Sequence, residues 1–129
     1  MLRKSLLHNL ESLAMSIEVE LIRRFGITSR YKGYYLLHEA LQIATDNYKN
    51  CLIITNNVYS ILSQRHNIPY ICVERNIRTV VIKCWENNRI LLEEIAGRKL
   101  TVYPSNGDFL DMVVYWFEDN DAKNSMNSE

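Results

Sequence analysis

At 129 residues, 47% of them hydrophobic, with four glycines and two prolines, the chain suits one compact, helix-leaning domain and is too short for two ordinary ones. Its formal net charge is zero, yet residues 108–129 hold six acids (Asp108, Asp111, Glu118, Asp119, Asp121, Glu129) against Lys123. The preceding residues therefore carry +5, fourteen bases against nine acids, a balance compatible with nucleic-acid binding but not requiring it.

Leu6, Leu10, Leu13, Ile17 and Leu21 recur at spacings of four and three, which predicts a helix over 5–25 with one apolar stripe. Gly26 falls where its C-cap is expected. Residues 1–16 read as a helical extension, either packed on the body or forming a dimerising arm, in front of a domain over 17–119. GYYLLHEALQIATDN (33–47) predicts a second helix with Leu36, Leu37, Ala40, Leu41 and Ala44 inward, ended by Asp46-Asn47. A short helix over about 48–54 leads to NNVYSILSQRHN (56–67). There Val58, Ile61, Leu62 and Arg65 recur at helical spacing, and Asn67 suits a tight turn. Ile68-Pro69 breaks the chain, with Pro69 at or near the first position of a long helix over 69–87. ILLEEIAG (90–97) is a brief helix closed by Gly97, and RKLTVYP (98–104) is extended. Ser105 can cap a last helix over 105–119, with Asp108 completing a short capping box, and 120–129 read as a flexible, polar, acidic tail. No alternating run is longer than Thr101-Val102-Tyr103 and no internal repeat occurs, so the expected class is all-α.

Within 69–87, the stretch VERNIRTVVIKCW (73–85) separates into two faces. At about 100° per residue from Val73, the side chains of Ile77, Val80, Val81 and Cys84 fall between about −20° and 80°, one buried stripe. Arg75, Arg78 and Ile82 fall near 200°, 140° and 180°, directly away from it. A scaffold helix, a turn of three or four residues, then a longer helix with a polar pair in its early turns is the layout of a helix-turn-helix. Arginine suits such a place because its planar fork donates two parallel hydrogen bonds to guanine O6 and N7, while a neighbouring Glu74 can accept from cytosine N4.

YKGYYLLHEAL (31–41), VYSILSQRHN followed by VERNIR (58–78), Trp85 and PSNGDFLDMV (104–113) resemble, in order and spacing, the C-terminal effector domain of the sporulation initiation regulator family, stage zero sporulation protein A. The likeness runs over roughly residues 17–118. It implies about six helices with an embedded helix-turn-helix, binding to double-stranded promoter DNA, and contact with the transcription machinery, namely an RNA polymerase sigma factor. It also implies that Glu74, Arg75 and Arg78 lie on the bases. Arg30, Lys32, Arg65 and Lys83 are candidates for phosphate contacts that set register, and paired subunits would occupy tandem sites as a homodimer. The chain departs from the family pattern in two places: Cys72 stands where a basic residue is usual, and Thr28-Ser29-Arg30 replaces Pro-Ala-His. The residues before 17 leave no room for a receiver domain, so phosphorylation of this chain is not expected to be the switch.

Other chemistry is not expected. His38 and Glu39 are adjacent on a helix, diverge by about 100°, and read as helix surface. His8 and His66 sit in unrelated segments without a nucleophile, and no glycine-rich phosphate loop occurs. Tyr31, Tyr34, Tyr35, Tyr103 and Trp116 follow the apolar helix faces and read as core rather than as base-stacking platforms. Cys51, Cys72 and Cys84 make an odd set without a CxxC, so free thiols in a cytoplasmic protein are expected, with no cofactor, metal or catalytic residue. Glu11, Glu18 and Glu20 interrupt the N-terminal apolar run, which excludes a signal peptide and a membrane span there. The competing reading is a protein-interaction module that keeps the fold and modulates a full-length regulator or RNA polymerase. Cys72 and the near-neutral charge favour it; Glu74, Arg75 and Arg78 argue against it.

Overall fold

The computed structural model describes residues 20–46 and 55–127. After a helical segment at 20–24 come α1 (Gly33–Asp46), α2 (Thr55–His66), α3 (Tyr70–Asn87), α4 (Arg89–Ala96) and α5 (Asn106–Asn127). The described residues contain no strand, and the class is all-α. The expected helix over 48–54 and the stripe from Leu6 to Ile17 lie outside the described residues.

Local chemistry places the helix ends. Gly26 and Gly97 both take positive φ, 75° and 71°, the left-handed turn that lets the next amide reach back to the last carbonyls. Ile27 N donates to Ile22 O at 3.3 Å, and Arg98 N donates to Glu93 O at 3.3 Å. Asn88 caps α4 by accepting from Leu91 N at 3.1 Å, and Ser105 caps α5 by accepting from Asp108 N at 3.1 Å. α5 runs on to Asn127, past the expected end at 119, because no glycine or proline follows Gly107 to stop it.

α3 is the centre of the packing. It lies against α1 most extensively and also meets α2, α4 and α5. Val73, Ile77, Val80, Val81 and Cys84 are fully buried, joined by Leu37, Ala40 and Leu41 of α1, Leu62 of α2, Leu92 of α4, and Leu110 and Val113 of α5. Phe25 and Ile27 close the core beside α5, with the Phe25 and Phe109 rings 6.3 Å apart. Truncating a fully buried leucine or isoleucine here to alanine should cost about 2–5 kcal/mol. α1 and α3 approach closely at Gly33, where an added Cβ would sit 2.2 Å from Asn76 O and 2.6 Å from Val80 Cγ2. Hydrogen bonds from Asn87 Nδ2 to Phe25 O (3.1 Å) and from Asn88 Nδ2 to Arg24 O (3.3 Å) tie the end of α3 to the segment before α1.

Four placements differ from expectation. Ile61 is 40% exposed, because Tyr59 enters the core beside Val58 and Leu62 and rotates the buried arc of α2 away from it. His38 is buried rather than on the helix surface. Its imidazole lines a pocket with Arg23, Ile27, Thr28 and Ser29, and burial lowers its pKa against an opposing pull from Glu39. Tyr35 and Tyr103 are exposed, while Tyr31, Tyr34 and Trp116 pack against the core as expected. Tyr35 is left outside because Tyr34 takes the inner place, the two rings meeting edge to face at 5.0 Å. His66 is not isolated: it pairs with Glu39 across the α1–α2 contact. Cys84 is a core thiol whose pKa burial pushes up to about 12, whereas Cys72 is partly exposed.

Candidate nucleic-acid interface

α2, the turn Asn67–Pro69 and α3 form the helix-turn-helix. Asn67 adopts φ 52°, the left-handed conformation asparagine tolerates, and Ile68 N then donates to Ser63 O at 3.1 Å. Ser63 Oγ closes the turn with a 2.6 Å bond to Ile68 O. Pro69, in extended geometry at φ −59° and ψ 143°, is the N-cap of α3, and its carbonyl accepts from Cys72 N at 2.9 Å and Val73 N at 3.2 Å. The Tyr59 and Tyr70 rings, 5.4 Å apart and edge to face, brace the two helices on either side of the turn.

With its buried stripe facing inward, α3 presents Ile71, Arg75, Arg78 and Thr79 to solvent, and Glu74 at the border. Ile71 is 59% exposed, a large apolar side chain in the first turn that periodicity alone had not marked as part of this face. Arg78 is ion-paired with Glu74 one turn back. Arg75 has no acidic partner among the described residues, and its carbonyl accepts from Thr79 Oγ1 at 3.0 Å. The three residues expected on the bases thus stand together, Glu74 and Arg78 coupled and Arg75 without an ion pair among the described residues.

The expected phosphate contacts are divided. Arg30 and Lys32 are exposed in the turn before α1, and Gly33 sets that turn directly against Asn76 of α3. Lys83 is on α3 itself, where its ammonium bonds Glu86 at 3.1 Å and is held above the usual lysine pKa by that bond, by the Glu86 charge and by nearby Tyr31. Arg65 is instead held by Glu39 of α1 at 3.0 Å, so Glu39 gathers both basic residues at the end of α2. Asn106, at the start of α5, reaches α3 by donating to Glu74 O at 3.0 Å, a long-range contact with no local sequence signal. No group of three or more His, Cys, Asp or Glu comes together among the described residues, and none of their helices is long and apolar enough to cross a membrane.

A short turn between two packed helices, the second showing an arginine-bearing outer face, defines a helix-turn-helix module. The family model described as "Sporulation initiation factor Spo0A C terminal" matches residues 19–116, and the chain belongs to that family. It is thereby a DNA-binding, transcription-regulating domain of the sporulation regulator type, in a family that is not one of enzymes. No solved structure matches the chain at a significant level.

Proposed function

We propose that α3 enters the major groove and reads a short DNA sequence through Glu74, Arg75 and Arg78. The observation that carries this is the placement of Arg75 and Arg78 opposite the buried stripe Val73–Ile77–Val80–Val81–Cys84, directly after the Asn67–Pro69 turn. Arg75, with no ion-pair partner to release among the described residues, is the fork for guanine O6 and N7. Glu74 can accept from cytosine N4 while its contact with Arg78 holds the arginine's direction. Ile71 adds an apolar surface of the kind that packs on thymine methyl groups. Arg30, Lys32, Arg65 and Lys83 supply phosphate contacts that fix register. Arg65 and Lys83 must share their charge with Glu39 and Glu86, so Arg30 and Lys32 contribute more to affinity. A second copy on a tandem site and an RNA polymerase sigma factor complete the set of partners.

Selection from a random duplex library, followed by anisotropy titration of the enriched sequence, tests this reading. Enrichment of one short guanine-containing box supports it, with a loss of about 1–3 kcal/mol for Arg75→Ala on that box and little on random DNA. Equal losses on both would refute base reading by Arg75. Failure to enrich any sequence would favour the interaction-module reading, for which the specific observation is Cys72 in place of a base on the α3 face.

A further inference from the structure

Asn106, the first residue of α5, is 7% exposed, and its amide nitrogen also donates to the Tyr59 hydroxyl at 2.8 Å, besides the bond to Glu74 O. Because a main-chain carbonyl can only accept, the bond to Glu74 fixes which end of the amide faces α3. One side chain therefore joins the scaffold helix, the reading helix and the last helix. Tyr59 is buried, braces Tyr70 with its ring, and lies within electrostatic reach of Arg78.

We propose that Asn106 and Tyr59 form a pin that sets the depth and rotation of the first turns of α3, making them specificity-determining positioning residues for Glu74 and Arg78. The inference rests on the base-reading proposal above. Inside a helix, the Glu74 carbonyl already has a partner in the amide four residues on, so it does not need Asn106 to be satisfied. The extra bond adds position rather than satisfaction. The amide is also imperfectly matched to its site, because Oδ1 is buried without a hydrogen-bond partner among the described residues. An apolar side chain would remove that unmatched acceptor but leave the buried Tyr59 hydroxyl without its donor, so stability alone does not single out the amide. Position is different, because contacts to base edges need their groups held within about 0.5 Å, whereas long basic side chains follow phosphates over a wider range. A loosened α3 should therefore lose discrimination before it loses general DNA affinity.

The test compares wild type, Tyr59→Phe and Asn106→Ala on the duplex enriched from the library and on a scrambled duplex of the same length, with thermal midpoints measured alongside. Tyr59→Phe removes one oxygen and keeps the ring packing, so it reports on the pin even where Asn106→Ala folds poorly. The expected result is a loss of about three- to tenfold on the enriched duplex for Tyr59→Phe, the size of one hydrogen bond's contribution. Binding to the scrambled duplex and its salt slope should be unchanged. Equal losses on both duplexes, or a lowered midpoint with unchanged discrimination, would reduce the pin to a packing contact and overturn the proposal. A wild type that binds both duplexes alike overturns the base-reading proposal beneath it instead.

Discussion

Gly33→Ala probes the contact on which the interface is built. The added Cβ would lie 2.2 Å from Asn76 O and 2.6 Å from Val80 Cγ2, so a main-chain atom of α3, not a flexible side-chain end, must give way. An ordinary carbon–oxygen contact is longer than this by about 1 Å, so α1 and α3 have to separate by roughly that distance over their most extensive interface. Overpacking of this kind costs about 1–3 kcal/mol, and the better helix propensity of alanine returns at most about 1 kcal/mol. A net loss of about 2 kcal/mol should lower the thermal midpoint of a domain this size by about 10 °C. Gly97→Ala is the comparator: its Cβ meets nothing within 4 Å, so only the left-handed backbone at φ 71° opposes it, worth about 1 kcal/mol. Circular dichroism melts of the three proteins decide the matter. The reasoning is refuted if Gly33→Ala melts with wild type or above Gly97→Ala, because α1 could not then approach the α3 backbone as described. The same variant should lose affinity for the enriched duplex, since the turn carrying Arg30 and Lys32 moves away from α3.

Lys83→Ala should weaken enriched and random duplexes alike and reduce the slope of log affinity against log salt by at most about 0.9, less if the Glu86 pair already neutralises it; a change in base preference would contradict a phosphate role. Glu39→Gln releases Arg65 and His66 and should strengthen DNA binding at low salt by a few-fold, measured by anisotropy, if Arg65 lies near the phosphates. The Cys84 thiol ionises near 9.0 when unfolded and near 12 when folded, so its contribution is complete below pH 9 and is lost as pH rises toward 12. Urea unfolding at pH 10 should show about 1 kcal/mol less alkaline loss in Cys84→Ala than in wild type.

The direction of the two arginines was legible because α3 has a long, continuous apolar period, and five buried positions leave no freedom in which way Arg75 and Arg78 point. The caps were legible for a similar reason: Gly26, Gly97 and Ser105 act on their own neighbours. The placements of Tyr59, His38 and Glu39 involve partners distant in sequence. The helical spacing of Val58, Ile61, Leu62 and Arg65 left out Tyr59, which enters the core on the far side of Val58 and Leu62 from Ile61, its ring held by Tyr70 and its hydroxyl by Asn106. His38 sits at the edge of the α1 arc and is buried by the 27–29 loop, which helical periodicity does not describe. Glu39 looked like a surface acid until α2 brought Arg65 and His66 to it. The Asn106 contacts with Tyr59 and Glu74 span 47 and 32 residues, beyond any local pattern.

The most direct test of the central claim removes the atom Arg75 is proposed to read. In the enriched duplex, each guanine is replaced in turn by 7-deazaguanine, which lacks the N7 acceptor, and binding of wild type and Arg75→Ala is titrated in a double-mutant cycle. One substitution should weaken wild type by about tenfold and leave Arg75→Ala unaffected, the non-additivity identifying the pair. Additive losses at every guanine would mean that Arg75 does not reach a guanine N7, and the account of α3 as a base-reading helix through this residue would fail.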